Sequence, residues 1–121
     1  MSMEGVAEKA RELGRLIGQT EEYKALQRAR ERFSEDRDAV QRVNRLSELE
    51  QMVGEALQRG VEPTEEIRNE YEKLFSELQA SPVYQAMVAG QSNFDRILQH
   101  VNEDISKGIE AGAASRIILT K

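Results

Sequence analysis

The sequence predicts an all-α protein, an elongated antiparallel bundle of about five helices with long helical hairpins, and three observations predict it. Only two prolines interrupt 121 residues. Ala, Leu, Glu, Arg and Gln, all favourable in helices, recur from end to end. Apolar residues return every three or four positions, the spacing that gathers side chains on one helical face. A chain of this length suits a single domain over 1–121. With 39% hydrophobic against 32% charged residues, three Phe, three Tyr and no Trp, its core has to be largely aliphatic.

The elements follow in order. Val6, Ala10, Leu13 and Ile17 form the first stripe, and Gly18 weakens the end of that helix. Thr20 can cap a second helix, its hydroxyl accepting a free backbone N–H while Glu21 and Glu22 favour the positive helix start. There the stripe is Tyr23, Leu26, Ala29 and Phe33. Ser34 to Asp36 reads as a short turn with Asp36 as the next N-cap, although no Gly or Pro excludes one continuous helix. Val40, Val43, Leu46, Leu49, Val53 and Leu57 mark the third helix. Gly60 suits the left-handed position just past its end, and Pro63 follows. Thr64 then caps a fourth helix carrying Ile67, Tyr71, Leu74, Phe75 and Leu78.

Ser81 as N-cap and Pro82 in the first turn open a fifth helix, because a missing N–H costs nothing there. Its stripe is Val83, Met87, Phe94, Leu98, Val101 and Ile105, and it is expected to run to about residue 110, or ~45 Å. Gly90 costs a helix roughly 1 kcal/mol relative to Ala, so another helix passing close, or a kink, is expected there. Gly108 and Gly112 suit a fraying end, and the tail "ASRIILTK" has strand-like residues that could dock on the bundle, dock on a partner or stay disordered. A helix this long exceeds what its own chain can cover. A second copy, in a two-fold dimer, is the expected cover.

Several kinds of chemistry are excluded or disfavoured. The formal charge of −5 works against a generic polyanion binder. The absence of cysteine excludes disulfides, thiolate metal sites and cysteine nucleophiles. The N-terminal stretch has no apolar signal region and no aliphatic run approaches the ~20 residues of a membrane span, so a cytoplasmic protein is expected. His100 is the only histidine. With Glu103 it gives His-x-x-Glu, the reverse of the motif that di-iron bundles use twice, and a partly exposed structural histidine is the expected reading. The carboxylates lie mostly on polar faces near Arg or Lys, and no glycine-rich phosphate loop, Gly-x-Ser-x-Gly or zincin helix is present. Arg28, Arg32, Arg42 and Arg45 could grip phosphates, but interleaved Glu31, Glu35, Asp36 and Asp38 make ion pairs within each helix the simpler expectation.

"LGRLIGQTEEYKAL", the loop from Gly60 to Thr64, and "SPVYQAMVAGQSNFDRILQHVNEDI" stand in an order that resembles the YlbF/YmcA family of small helical bacterial proteins, on its YheA-like side, over about residues 6 to 110. The resemblance implies a self-associating helical fold. It also implies regulation, since some members are adaptors in a complex that adjusts ribonuclease Y-dependent RNA processing and with it competence, sporulation and biofilm formation. That complex is associated with cysteine-held iron–sulfur clusters, which this chain cannot hold. The resemblance supplies no catalytic residue, metal ligand or cofactor. The expected function is therefore a non-catalytic, oligomeric adaptor working with other family members or an RNA-processing complex. Its expected interface comprises Tyr84, Met87, Phe94 and Leu98 of the fifth helix, with Tyr71 and Phe75 opposite, because aromatic and Met side chains are enriched in interfaces. The alternatives are a carboxylate-bridged metal-binding bundle and direct RNA binding through the four arginines.

Overall fold

The computed structural model describes residues 3–119. It contains five helices: α1 (Met3–Gly18), α2 (Glu21–Glu35), α3 (Arg37–Gln58), α4 (Glu65–Gln79) and α5 (Pro82–Leu119). No strand occurs among the described residues.

The local chemistry that starts and stops these helices is that of the sequence. Thr20 Oγ1 accepts from the Tyr23 N–H at 3.2 Å and donates to the Ile17 carbonyl at 2.7 Å. Asp36 Oδ1 accepts from the Ala39 N–H, Thr64 Oγ1 from Ile67, and Ser81 Oγ from Tyr84. Asp36, at φ −92° and ψ 97°, is alone in leaving the helical conformation between α2 and α3, so the expected turn is a single residue wide. Gly60 takes φ 72°, its N–H donating to the Leu57 carbonyl while that of Val61 donates to Ala56, which satisfies two of the carbonyls a helix end would leave orphaned.

The tertiary arrangement is one long antiparallel hairpin. Partners on α5 fall in number as those on α2 rise: the Tyr23 and Phe94 rings lie 5.1 Å apart, Leu26 backs onto Gly90, and Phe33 lies 6.5 Å from Tyr84. α3 and α4 continue the same pairing, with Arg42 bonded to Glu77 and Arg45 to Glu70. Asp36 on one side of the hairpin and Ser81–Pro82 on the other therefore break their helices at the same level, and the two sides bend together. Among the described residues Leu26, Leu49 and Leu78 are the fully buried large side chains, joined by Ala29, Ala39 and Leu46. Each buried Leu is worth roughly 1.5–3 kcal/mol against exposure, so a thin core of this kind needs every one of them.

Two expectations are corrected. α5 has 38 residues and passes through Gly108 and Gly112 to Leu119, about 57 Å, well beyond the expected end near residue 110. Neither glycine breaks it, since hydrogen bonding along a helix tolerates isolated Gly at roughly 1 kcal/mol each. The tail is accordingly helical through Leu119 rather than strand-like, while Thr120 and Lys121 lie outside the described residues. The second correction concerns the ion pairs of Arg42 and Arg45, which are mainly between helices rather than within them.

Candidate protein interaction surfaces

The first surface is the α3–α4 arm. Tyr71 and Phe75, one turn apart on α4, stack with ring centroids 6.3 Å apart and planes 7° from parallel. Phe75 keeps 46% of its surface exposed. Beside the stack runs a mainly apolar crevice of about 330 Å³, walled by Val53 of α3, Pro63 of the connecting loop, and Ile67 and Tyr71 of α4. Glu50, Arg68 and Glu72 rim it. Thr64 positions this wall, because its cap fixes where α4 begins and so which side Ile67 and Tyr71 present.

The fifth-helix residues sit elsewhere. α5 packs chiefly on α2, not on α4, so Tyr84 and Phe94 meet Phe33 and Tyr23 and are half-buried inside the hairpin. Met87 and Leu98 are half-buried in the same seam. Tyr71 and Phe75 are thus not opposite these four residues, since Asp36 and Ser81 divide the hairpin into two arms with one aromatic set each. Beyond half-buried Val101 the α5 stripe loses its partner: Ile105 is 46% and Ile109 66% exposed.

The arginine face is largely committed to structure. Arg42 Nε donates to Glu77 Oε2 at 2.6 Å; Arg45 donates to both carboxylate oxygens of Glu70, at 2.7 and 3.0 Å, and to Glu48 at 3.0 Å. The hydrogen bonds from Arg45 hold the Glu70 carboxyl below the usual carboxylate range, and those to Glu70 and Glu48 push the Arg45 guanidinium up. Arg28 and Arg32 are exposed, and Arg30, which the sequence did not single out, donates to Gln91 across α2 and α5 at 2.8 Å. His100 lies 3.7 Å from Glu103, both on the exposed side of α5. Among the described residues no group of three or more His, Asp or Glu is gathered to hold a metal ion, and no helix is long and apolar enough to cross a membrane.

Residues 6–110 match the family model described as control of competence regulator ComK, YlbF/YmcA. The chain belongs to the YlbF/YmcA family. Among solved structures, Bacillus subtilis RicA, crystallised in complex with RicF, is similar with a TM-score of 0.77 at 17% identity, over 93% of this chain and 99% of that one. A Bacillus stearothermophilus protein of unknown function (DUF964) is similar with a TM-score of 0.66 at 19% identity, over 88% of this chain and 93% of that one. At such identities the likeness establishes the fold alone, an all-helical one. No curated protein sequence matches the chain.

Proposed function

We propose that this YlbF/YmcA protein is a cytoplasmic, oligomeric, non-catalytic adaptor that acts by protein–protein contact, within the ribonuclease Y-linked RNA processing that governs competence, sporulation and biofilm formation. The observation that carries the reading is the stack of half-buried Tyr71 and exposed Phe75 beside an apolar crevice. Aromatic side chains anchored next to a concave apolar wall are what protein interfaces use as energetic centres. Support for the regulatory setting comes from the family's link to control of the competence regulator ComK, and from RicA, a protein of the same fold that has been crystallised with RicF. The partner of the α3–α4 arm is, on this reading, another helical member of the family.

Deleting the gene in its native host and mapping transcript ends tests the reading. Altered ends at ribonuclease Y-dependent sites, restored by the wild-type chain but not by one carrying Tyr71→Ala and Phe75→Ala with unchanged helix content, are expected. Unchanged transcript ends together with unchanged competence would overturn it.

A further inference from the structure

The two interruptions at Asp36 and Ser81 fall at one level, so α2–α3 and α4–α5 bend as a pair and stay in contact. At Thr20 only one side of the hairpin is interrupted. The cap there, with ψ 151° and its two hydrogen bonds, turns α1 away from the axis of α2, while α5 runs on unbroken past the same level. The result is a mismatch built into the chain. α5 keeps the stripe that α2 covers at Phe94 and continues it through half-buried Val101 to Ile105 and Ile109, which are bare. α1 is a sharply amphipathic helix with no buried side chain; Met3 is 74% and Leu16 57% exposed.

We propose that a second copy of this chain covers the bare end of α5, each protomer laying its α1 along the distal α5 of the other. Four observations favour this occupant. The bare stripe is continuous with the one α2 covers, so it calls for an antiparallel helix that extends the register of α2. Counting on from the Tyr23–Phe94 and Leu26–Gly90 pairs in that register sets Leu13 level with positions 103–104, between Val101 and Ile105, and Ala10 level with 106–107, between Ile105 and Gly108, which brings apolar stripe near apolar stripe. The 16 residues of α1, about 24 Å, fit the part of α5 that lies beyond Leu98. Finally, α1 shares no extended contact with α5 of its own chain, so the covering helix comes from another molecule.

The charges agree with a protein rather than a lipid surface as the occupant. Glu4, Glu8 and Glu12 balance Lys9, Arg11 and Arg15 on the polar side of α1, whereas helices that lie on membranes carry an excess of Lys and Arg there. Exchange makes the contact twice, which carries two short stripes toward the ~1,200–2,000 Å² of a specific interface. Gly108 has open space around it, as Gly90 would without α2, so an incoming helix can approach closely.

The proposal deepens the adaptor reading by naming its self-association surface, and its test leaves the Tyr71–Phe75 surface untouched. Because the chain has no cysteine, one chain carrying only Ala10→Cys and a differently tagged chain carrying only Gly108→Cys can be mixed and mildly oxidised. A disulfide between the two tagged chains is expected, with sedimentation at micromolar concentration giving a dimer that Ile105→Glu plus Ile109→Glu weakens at least tenfold without loss of helix content. A single chain carrying both cysteines that closes only on itself would overturn the proposal. So would a monomer in sedimentation, or a dimer that the two Glu substitutions leave intact.

Discussion

Gly90 and Leu26 bring α5 and α2 into backbone contact: a Cβ placed on Gly90 would lie 3.2 Å from the Leu26 Cα, closer than ordinary packing allows. Gly90 is buried, and Leu26 has no exposed surface. Gly90→Ala gains roughly 1 kcal/mol of helix propensity. Forcing a methyl against a packed backbone costs about 1–3 kcal/mol. The atom it meets is main chain rather than the free end of a side chain, so the clash wins. Thermal unfolding should show Gly90→Ala less stable by about 1 kcal/mol, while Gly108→Ala, which meets nothing, should be more stable by about 0.5–1 kcal/mol. A Gly90→Ala chain that melts above the wild type would contradict the contact.

Leu26 also measures how thin the core is. Few large side chains are fully buried, so a cavity at Leu26 has few neighbours able to collapse into it. Leu26→Ala should cost about 2–5 kcal/mol in chemical denaturation, toward the upper end of that range. A loss below about 1 kcal/mol would mean that the α2–α5 seam is not where the core lies.

Asp36 tests the joint between the arms. Its carboxylate caps α3 through the Ala39 N–H, and its backbone N–H donates to the Phe33 carbonyl, closing α2. Asp36→Ala removes the cap but keeps the backbone bond, and should cost about 1 kcal/mol. Asp36→Asn, whose amide oxygen can accept the same bond, should recover most of it; equal losses in both variants would rule out capping as the cause.

The Arg45–Glu70 pair sets a pH dependence. Glu70 is held below the usual carboxylate range by hydrogen bonds from Arg45, so the folded chain binds fewer protons there than the unfolded chain. Its contribution to stability is complete above the ordinary carboxylate pKa and is lost as pH falls through the folded value. Melting temperature should drop in acid below about pH 4 more steeply for the wild type than for Glu70→Gln. Both groups are solvent-accessible, so the difference should be small and should shrink further in high salt. Parallel acid limbs in the two chains would contradict it.

Much of this molecule was legible before any coordinates. Thr20, Asp36, Thr64 and Ser81 cap helices because hydroxyls and carboxylates reach their own following N–H groups, a local matter that sequence states directly. Gly60 is likewise legible as a turn, and Gly90 as either a close approach or a kink, of which the contact with Leu26 is the first. What sequence could not state was which stripe meets which. An apolar face has no address, so Tyr71 and Phe75 were set against the fifth helix when α2 in fact takes that place. Arg45 reaches Glu70 because α3 and α4 run antiparallel, and no spacing along the chain reports a partner 25 positions away. The candidate surface was legible by residue type, in Tyr71 and Phe75, but not by location.

The central claim is that a single chain shelters α5 only as far as about Val101 and that a second copy shelters the rest. Amide hydrogen exchange measured at several protein concentrations tests it most directly. Amides from Gln85 to Ile97 should be protected at every concentration, whereas those from Ile105 to Ile109 should lose protection on dilution from micromolar to nanomolar protein. Equal protection of the two stretches at all concentrations would show that one chain covers α5 by itself, and would contradict the account.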